Sequence, residues 1–396
     1  MYLTRWEERA YNGEYGEALA VAMKLLVSVG EVLGAERLID VAHVHVSGIS
    51  YDNIGDAGLE FIESLYTMGG RVRTYSTYNP SGTLLGGQGS DGGGFMEKQL
   101  RIINALRGMG FTESATCIPY LVLREPRRGE HLAWGESSAV AVANTLYAAR
   151  TNREAGPVAL AAALAGRTYY WGLHLDENRK PTVVVKYSGT PLDELYAGIL
   201  GYLVGELYQG EIPYIDAPFT GRRSVISLCA AAAASGNTAM CIVRDYSPED
   251  HGRPGEARDK LALTRRDLEE KREEISHADI SDAELFYTGC PHHPKSFLQE
   301  LYSYIAAKAP HGLKKPMLVS IPGVDARDEA VRKVSRALAR LGVHVLPGTC
   351  LVVSRFRESY RVVATDSLKA AFYLPRRHGV RVVLSTIGEY VAQVKR

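Results

Sequence analysis

The sequence predicts an α/β protein built on mostly parallel sheets, and three observations carry that class. Short apolar runs rich in β-branched residues alternate with stretches of helical periodicity along most of the chain, the pattern of strands joined by crossover helices. Of 396 residues, 46% are hydrophobic and 23% charged, which suits a globular chain with a sizeable core and rules out disorder for most of it. No repeat of fixed period is present, so solenoid architectures are excluded.

The elements follow in order. Residues 41–46 are apolar and β-branched, end at Ser47-Gly48, and precede a helix over 56–68 with Leu59, Ile62 and Leu65 on one face. A further strand is expected over 71–77. Between 81 and 94, seven of fourteen residues are Gly, a backbone too permissive to hold itself rigid. That stretch reads as an exposed connector or as a loop closing over a site, and it lacks the Gly-Lys-Ser/Thr ending of a P-loop. An apolar helix is expected over 139–149, a helical run over 227–234 and an apolar segment over 238–243. The Pro- and Gly-bearing run 247–255 marks a hinge, and the charged stretch 257–275 reads as one solvated helix. Strand and helix return at 317–321 with 325–341, and again at 380–384 with 387–394. The expected division is an N-terminal α/β portion, 1–250, and a C-terminal α/β portion, 251–396.

Composition narrows the function. Lys and Arg number 46 against 45 Asp and Glu, so there is no global basic field and no nucleic-acid partner is expected. The N-terminal residues carry charges in every turn and no apolar core of a signal peptide. No run approaches the ~18 apolar residues of a membrane helix, so a cytoplasmic protein with no membrane partner is expected. Five cysteines, Cys117, Cys229, Cys241, Cys290 and Cys350, are an odd number spread thinly, which argues against a disulfide framework. Cys229 and Cys241 lie inside the helical and apolar runs and read as small core hydrophobes. Cys117 stands before Ile118-Pro119, Cys290 within Gly289-Cys290-Pro291-His292-His293, and Cys350 after Pro347-Gly348-Thr349. Each therefore sits in a loop, and loops can aim thiolates. No C-x-x-C pair brings two of them together locally, so on the residues alone metal binding and core packing both stand.

A set of motifs changes that weighing. Ser47-Gly48-Ile49-Ser50-Tyr51 with Gly55, Thr77-Tyr78-Asn79-Pro80, Thr116-Cys117-Ile118-Pro119-Tyr120-Leu121 and Trp134-Gly135-Glu136-Ser137-Ser138-Ala139 come first. Ala143-Asn144, Ala149-Arg150-Thr151-Asn152-Arg153-Glu154, Gly172-Leu173-His174, Gly289-Cys290-Pro291-His292, Cys350, and the run from Thr365-Asp366-Ser367 through Pro375 complete them. In order and spacing they resemble the aconitase X family over nearly the whole chain. The resemblance implies a hydro-lyase large subunit with mostly parallel sheets around a central iron–sulfur site. It also implies a 4Fe-4S cluster held by Cys117, Cys290 and Cys350, one iron remaining open. A small swivelling domain, fused in some members, is expected here as a separate partner subunit, since the sequence after the last helix leaves no room for it.

The same motifs supply candidate site residues. Ser47 and Gly48 end a strand where α/β folds present ligand-binding amides, and Asn79 borders the Gly-rich loop, either bonding substrate or holding its own turn. Glu136, Ser137 and Asn144 join the expected substrate-binding set. Arg150, Asn152 and Arg153 follow the apolar helix, where guanidinium forks suit carboxylate or phosphate, or else cap the helix and pair at the surface. Lys369 heads a short helix suited to an anionic group, and Ser367 and His45 are the local candidates for proton transfer. Of the family's two substrate classes, 5-phosphomevalonate and cis-3-hydroxy-L-proline, the expectation favours the first. With 8 Asn, 5 Gln and 33 Arg among its 46 cations, the chain fits a heat-adapted source and has cations to spare for a phosphorylated hydroxy acid. A non-enzymatic metal-holding assembly subunit is the reading from another class, and it would call for a closed set of four protein ligands.

Overall fold

The computed structural model describes residues 1–84, 94–248, 257–355 and 360–396. Most of the Gly-rich stretch and of the expected hinge lies outside these.

Three parallel sheets carry the chain. In the first part, β1 (Leu38–Asp40), β2 (His43–Val46), β3 (Tyr75–Tyr78), β4 (Leu132–Trp134) and β5 (Arg167–Tyr169) give a parallel sheet of order β3-β2-β4, while β1 pairs antiparallel with β5. Next come β6 (Val183–Ser188), β7 (Pro213–Asp216), β8 (Ile242–Val243) and β9 (Asp259–Thr264), a parallel sheet of order β8-β7-β6-β9. The last five, β10 (Leu285–Thr288), β11 (Met317–Ile321), β12 (Val343–Pro347), β13 (Val362–Thr365) and β14 (Arg381–Leu384), form a parallel sheet of order β12-β11-β10-β13-β14. Every residue of β2, β10, β11 and β13 is buried, as expected of parallel strands covered on both faces.

The expected elements are largely in place. The helix Tyr51–Thr67 buries Leu59, Ile62 and Leu65 and is broken at Gly55, whose φ of 58° favours glycine. The helix Ser137–Tyr147 starts two residues earlier than the periodicity predicts, because the Glu136 side chain caps it at Ala139 N–H. The strand expected over 71–77 begins only at Tyr75. The charged stretch 257–275 is not one helix. Its first part is β9, laddered residue by residue to β6, and the helix Arg265–Ile275 starts at a capping box of Thr264 with Asp267.

Helices Glu194–Leu207 and Arg222–Gly236 approach closely in the middle of the largest core. A Cβ on Gly201 would stand 2.2 Å from Leu228 O, so glycine is required there. Among the described residues, no helix is long and apolar enough to cross a membrane.

Candidate active site

The site forms where the carboxyl ends of strands in the first and last sheets face each other, the usual place for a ligand in a parallel α/β fold. His45 is on β2, Asn79 follows β3, Glu136 follows β4, Cys290 follows β10, Cys350 follows β12, and Ser367 and Lys369 follow β13. Cys117 arrives on the loop before Pro119–Val122, where Ala115 O accepts from Gly323 N–H at 3.1 Å and ties the loop to the last sheet.

The three loop thiols are buried, each about 7% exposed, and none is in a disulfide. They come from residues 117, 290 and 350 yet lie close enough for charge on Cys290 to act on Cys117, and charge on Cys350 to act on Cys290. His292 joins their loops: its backbone N–H donates to Cys117 Sγ at 3.1 Å, and its Nε2 lies 3.2 Å from the carbonyl of Thr349, the neighbour of Cys350. Thr349 Oγ1 in turn donates to Ser81 O at 2.7 Å. Gly289, at φ 102°, lets the chain turn into Cys290, and a Cβ there would lie 2.5 Å from Ser320 O. Cys229 and Cys241 are fully buried in the core, where the neighbouring Cys229 and burial raise Cys241.

The electrostatics centre on a buried ion pair. Lys369 Nζ donates to Glu136 Oε1 and, at 3.1 Å, to Ser138 Oγ. Burial pulls Lys369 down, but the charges of Glu136, Cys290 and Cys117 outweigh it and the net direction is up. Burial pushes Glu136 up, and Lys369, Ser138 and the Ala139 N–H bring it below its ordinary value. The pair is therefore fully charged at neutral pH. Burial raises all three thiols, with the Lys369 charge opposing, so they stay neutral unless a cation brought among them displaces their protons. Burial lowers His292 to about 3 and His45 to about 4, leaving both neutral.

His45 belongs to a hydrogen-bonded file. His43 Nε2 lies 2.8 Å from Thr77 Oγ1, Thr77 Oγ1 lies 2.7 Å from His45 Nδ1, and His45 Nε2 lies 2.9 Å from Asn79 Oδ1. Both ring nitrogens of His45 are thus occupied, and it holds Asn79 rather than serving as a free base. Ser367 is similarly engaged: its hydroxyl donates to Cys290 O and caps the helix Leu368–His378 by accepting from Ala370 N–H.

The structure divides the expected binding residues into two groups. Asn79, Glu136 with Ser137, and Lys369 stand with the thiols, and Ser47 and Gly48 end β2 beside Gly135. Asn144, Arg150, Asn152 and Arg153 are committed to the fold. Asn144 donates to the Thr151 and Ala239 carbonyls and accepts from Thr151 N–H and Arg179. Arg150 binds Asp176 and His174 O, Asn152 bridges Trp171 O and Leu173 N–H, and Arg153 binds Asn237. Polar residues next to a site helix are as useful for tying loops as for touching ligand.

The cavity beside Cys290, Ser367 and Lys369 is also lined by His293, by Asp366 of the Thr365-Asp366-Ser367 run, and by three residues missed in the sequence: Arg223, on the first turn of Arg222–Gly236, Glu194 and Thr288. Arg223 carries no local signal, since Cys290 and Lys369 are remote from it in sequence.

Models of the aconitase X first, second and third domains match residues 1–177, 181–273 and 283–396. The chain is 37% identical to the phosphomevalonate dehydratase large subunit of Thermococcus kodakarensis, over 99% of its own length and 100% of the relative's. It is 31% identical to the cis-3-hydroxy-L-proline dehydratase of Pseudomonas aeruginosa, over 96% of its own length and 67% of the relative's. A crystal structure of Thermococcus kodakaraensis aconitase X in its holo-form is similar over 100% of both chains, with a TM-score of 0.92 at 36% identity. Fold, gathered thiols and these matches define an α/β protein of the aconitase class. The chain belongs to the aconitase X family.

Proposed function

We propose that the chain is the large, catalytic subunit of a two-subunit iron–sulfur hydro-lyase that dehydrates (R)-5-phosphomevalonate to trans-anhydromevalonate 5-phosphate. On this reading it works in the cytoplasm, in an archaeal mevalonate route, with a small swivelling subunit. The carrying observation is the near full-length similarity to a phosphomevalonate dehydratase large subunit, against a lower identity covering two thirds of a hydroxyproline dehydratase.

The donor set suits a cluster. Three buried, unoxidised thiols converge beside an ammonium, and His292 Nδ1 is buried there with no hydrogen-bond partner among the described residues. Thiolates sharing one ion at about 2.3 Å must lie within about 4.6 Å of one another. Among the described residues, no three His, Cys, Asp or Glu side chains are arranged to hold a single ion. Thiolates on separate irons of a cluster are free of that limit. Cys117, Cys290 and Cys350 would hold a 4Fe-4S cluster, which when bound supplies a Lewis-acidic open iron for the leaving hydroxyl.

The chain's own residues do the rest. Lys369, kept positive by Glu136, offsets the negative charge that three thiolates and a substrate carboxylate bring into one dry region. Asn79, oriented by His45, offers its amide at the rim of the site, and its amide nitrogen has no other partner among the described residues. Arg223 at the cavity mouth receives the phosphate, exchanging its exposed bidentate contact with Glu300 for a second anion. The test is anaerobic copurification with the small subunit, then a dehydration assay on both substrates. Formation of the unsaturated carboxylate from 5-phosphomevalonate supports the reading, and turnover of cis-3-hydroxy-L-proline alone would overturn the substrate.

A further inference from the structure

Beside the thiol cavity lies a second, more open groove lined by Phe297, Leu301, Tyr304 and Ile387. Glu194, His293 and Asp366 line both spaces, so the wall between them is made of titratable side chains. Asp366 lies next to Ser367, whose hydroxyl holds the Cys290 carbonyl, and it keeps part of its surface exposed.

Thr288 ends β10 and fixes this carboxyl. Its Oγ1 donates to Asp366 Oδ2 at 2.9 Å and lies 2.6 Å from His293 Nε2, while the His293 ring is stacked on Phe297 at 3.7 Å. A hydroxyl has one proton and two lone pairs, so the chain runs in either direction. With Asp366 ionised, His293 donates to Thr288 and Thr288 to Asp366. With Asp366 protonated, Asp366 donates to Thr288 and Thr288 to the neutral imidazole. Both protonation states of the carboxyl are served without moving a heavy atom, which a purely structural contact does not need.

We propose that Asp366 is the proton-transfer residue of this site, taking the proton removed from the substrate carbon and passing it to water in the outer groove, with Thr288 and His293 as positioning residues. The proposal rests on the dehydration reading above. The C–H bond breaks and its proton goes to an Asp366 oxygen. Its electron pair forms the C=C bond as the C–O bond breaks and hydroxide leaves. The proton released to the groove and that hydroxide balance to one water, with nothing oxidised or reduced.

The surroundings allow the carboxyl to gain and lose a proton at neutral pH. Enclosure by protein raises Asp366 to about 7, the Thr288 hydrogen bond opposes it, and Glu194 on the facing helix pushes the same way. Burial raises Glu194 itself. Arg223 is paired with Glu300, Lys369 with Glu136, and burial holds His293 neutral at about 3.

The experiment follows kcat against pH for the anaerobic holo-complex with 5-phosphomevalonate, comparing wild type, Asp366→Asn, Asp366→Glu and Thr288→Val. Iron content and thermal unfolding are measured alongside. Wild-type kcat should rise with pH through about 7. Asp366→Asn should lose about 10²–10⁴-fold in kcat and the pH limb with it, at unchanged iron content and with KM within about twofold. Asp366→Glu should restore a limb, and Thr288→Val should displace it. In the chain alone, the carboxyl infrared absorbance titrating near pH 7 should be smaller in Asp366→Asn than in wild type, the remainder belonging to Glu154. An Asp366→Asn enzyme within threefold of wild-type kcat, an unchanged pH limb, or an undiminished absorbance would overturn the proposal. If the wild type turns over only hydroxyproline, the substrate reading fails, and the same comparison on that substrate still decides Asp366.

Discussion

Replacing Lys369 by Met removes the only cation paired with the buried Glu136 carboxylate among the described residues. Glu136 is 4% exposed and Lys369 8%. Without Lys369, Glu136 Oε2 keeps its contacts with Ser138 Oγ and Ala139 N–H at 2.6 Å, while Oε1 retains only the Ser137 hydroxyl at 3.5 Å. Breaking a buried pair from one side costs about 3–5 kcal/mol, and the surviving contacts place this case near the lower end. The sign with pH is fixed by burial, which pushes Glu136 up once Lys369 is gone. A carboxyl raised in the folded state gives stability that is present at low pH and lost as pH rises through its folded value. The penalty should therefore be smaller at pH 5 than at pH 8. Urea unfolding followed by far-ultraviolet circular dichroism at both pH values measures it. Glu136→Gln with Lys369→Met should cost less than the sum of the single changes, with a coupling of about 2–3 kcal/mol. Additive single losses each under about 1 kcal/mol would refute the reasoning.

Three further outcomes follow from the same structure. Glu154 is buried with the Tyr169 and Thr168 hydroxyls as its side-chain partners among the described residues and is raised by burial to about 7; from an ordinary 4.5 this is about 3 kcal/mol of stability lost as pH rises from about 4.5 to 7, and Glu154→Gln should flatten that part of the stability profile. Arg223→Ala should lower kcat/KM for 5-phosphomevalonate by about 10–30-fold, with the loss in KM, and leave the weak turnover of unphosphorylated mevalonate unchanged. Asn144→Ala should destabilise by about 2–3 kcal/mol in denaturant, because it strands the buried Thr151 N–H and two carbonyls, while KM stays at the wild-type value.

Much of the architecture is legible in the sequence where local pattern and tertiary pairing agree. The strand Met317–Ile321 and the helix Ile387–Val394 fall where the periodicity puts them. Residues 259–264 fail because their charges mimic a solvated helix, while the deciding interaction is a ladder to β6, 76 residues earlier. The loop cysteines stand out by their Pro and Gly neighbours. The partners that give the site its chemistry do not: Lys369 meets Glu136 across 233 residues, and Thr288 meets Asp366 across 78. Arg150 and Asn152 are ambiguous in the sequence for another reason, since a polar cluster after a helix looks the same whether it binds a ligand or ties down the next loop.

Iron content tests the central claim most directly. The large subunit, purified anaerobically with its partner, should contain iron and sulfide with brown absorbance. Cys290→Ser should lose it, as should Cys117→Ser and Cys350→Ser, while Cys229→Ser and Cys241→Ser, whose thiols pack in the core, should keep it. Full retention of iron by Cys290→Ser would contradict the account.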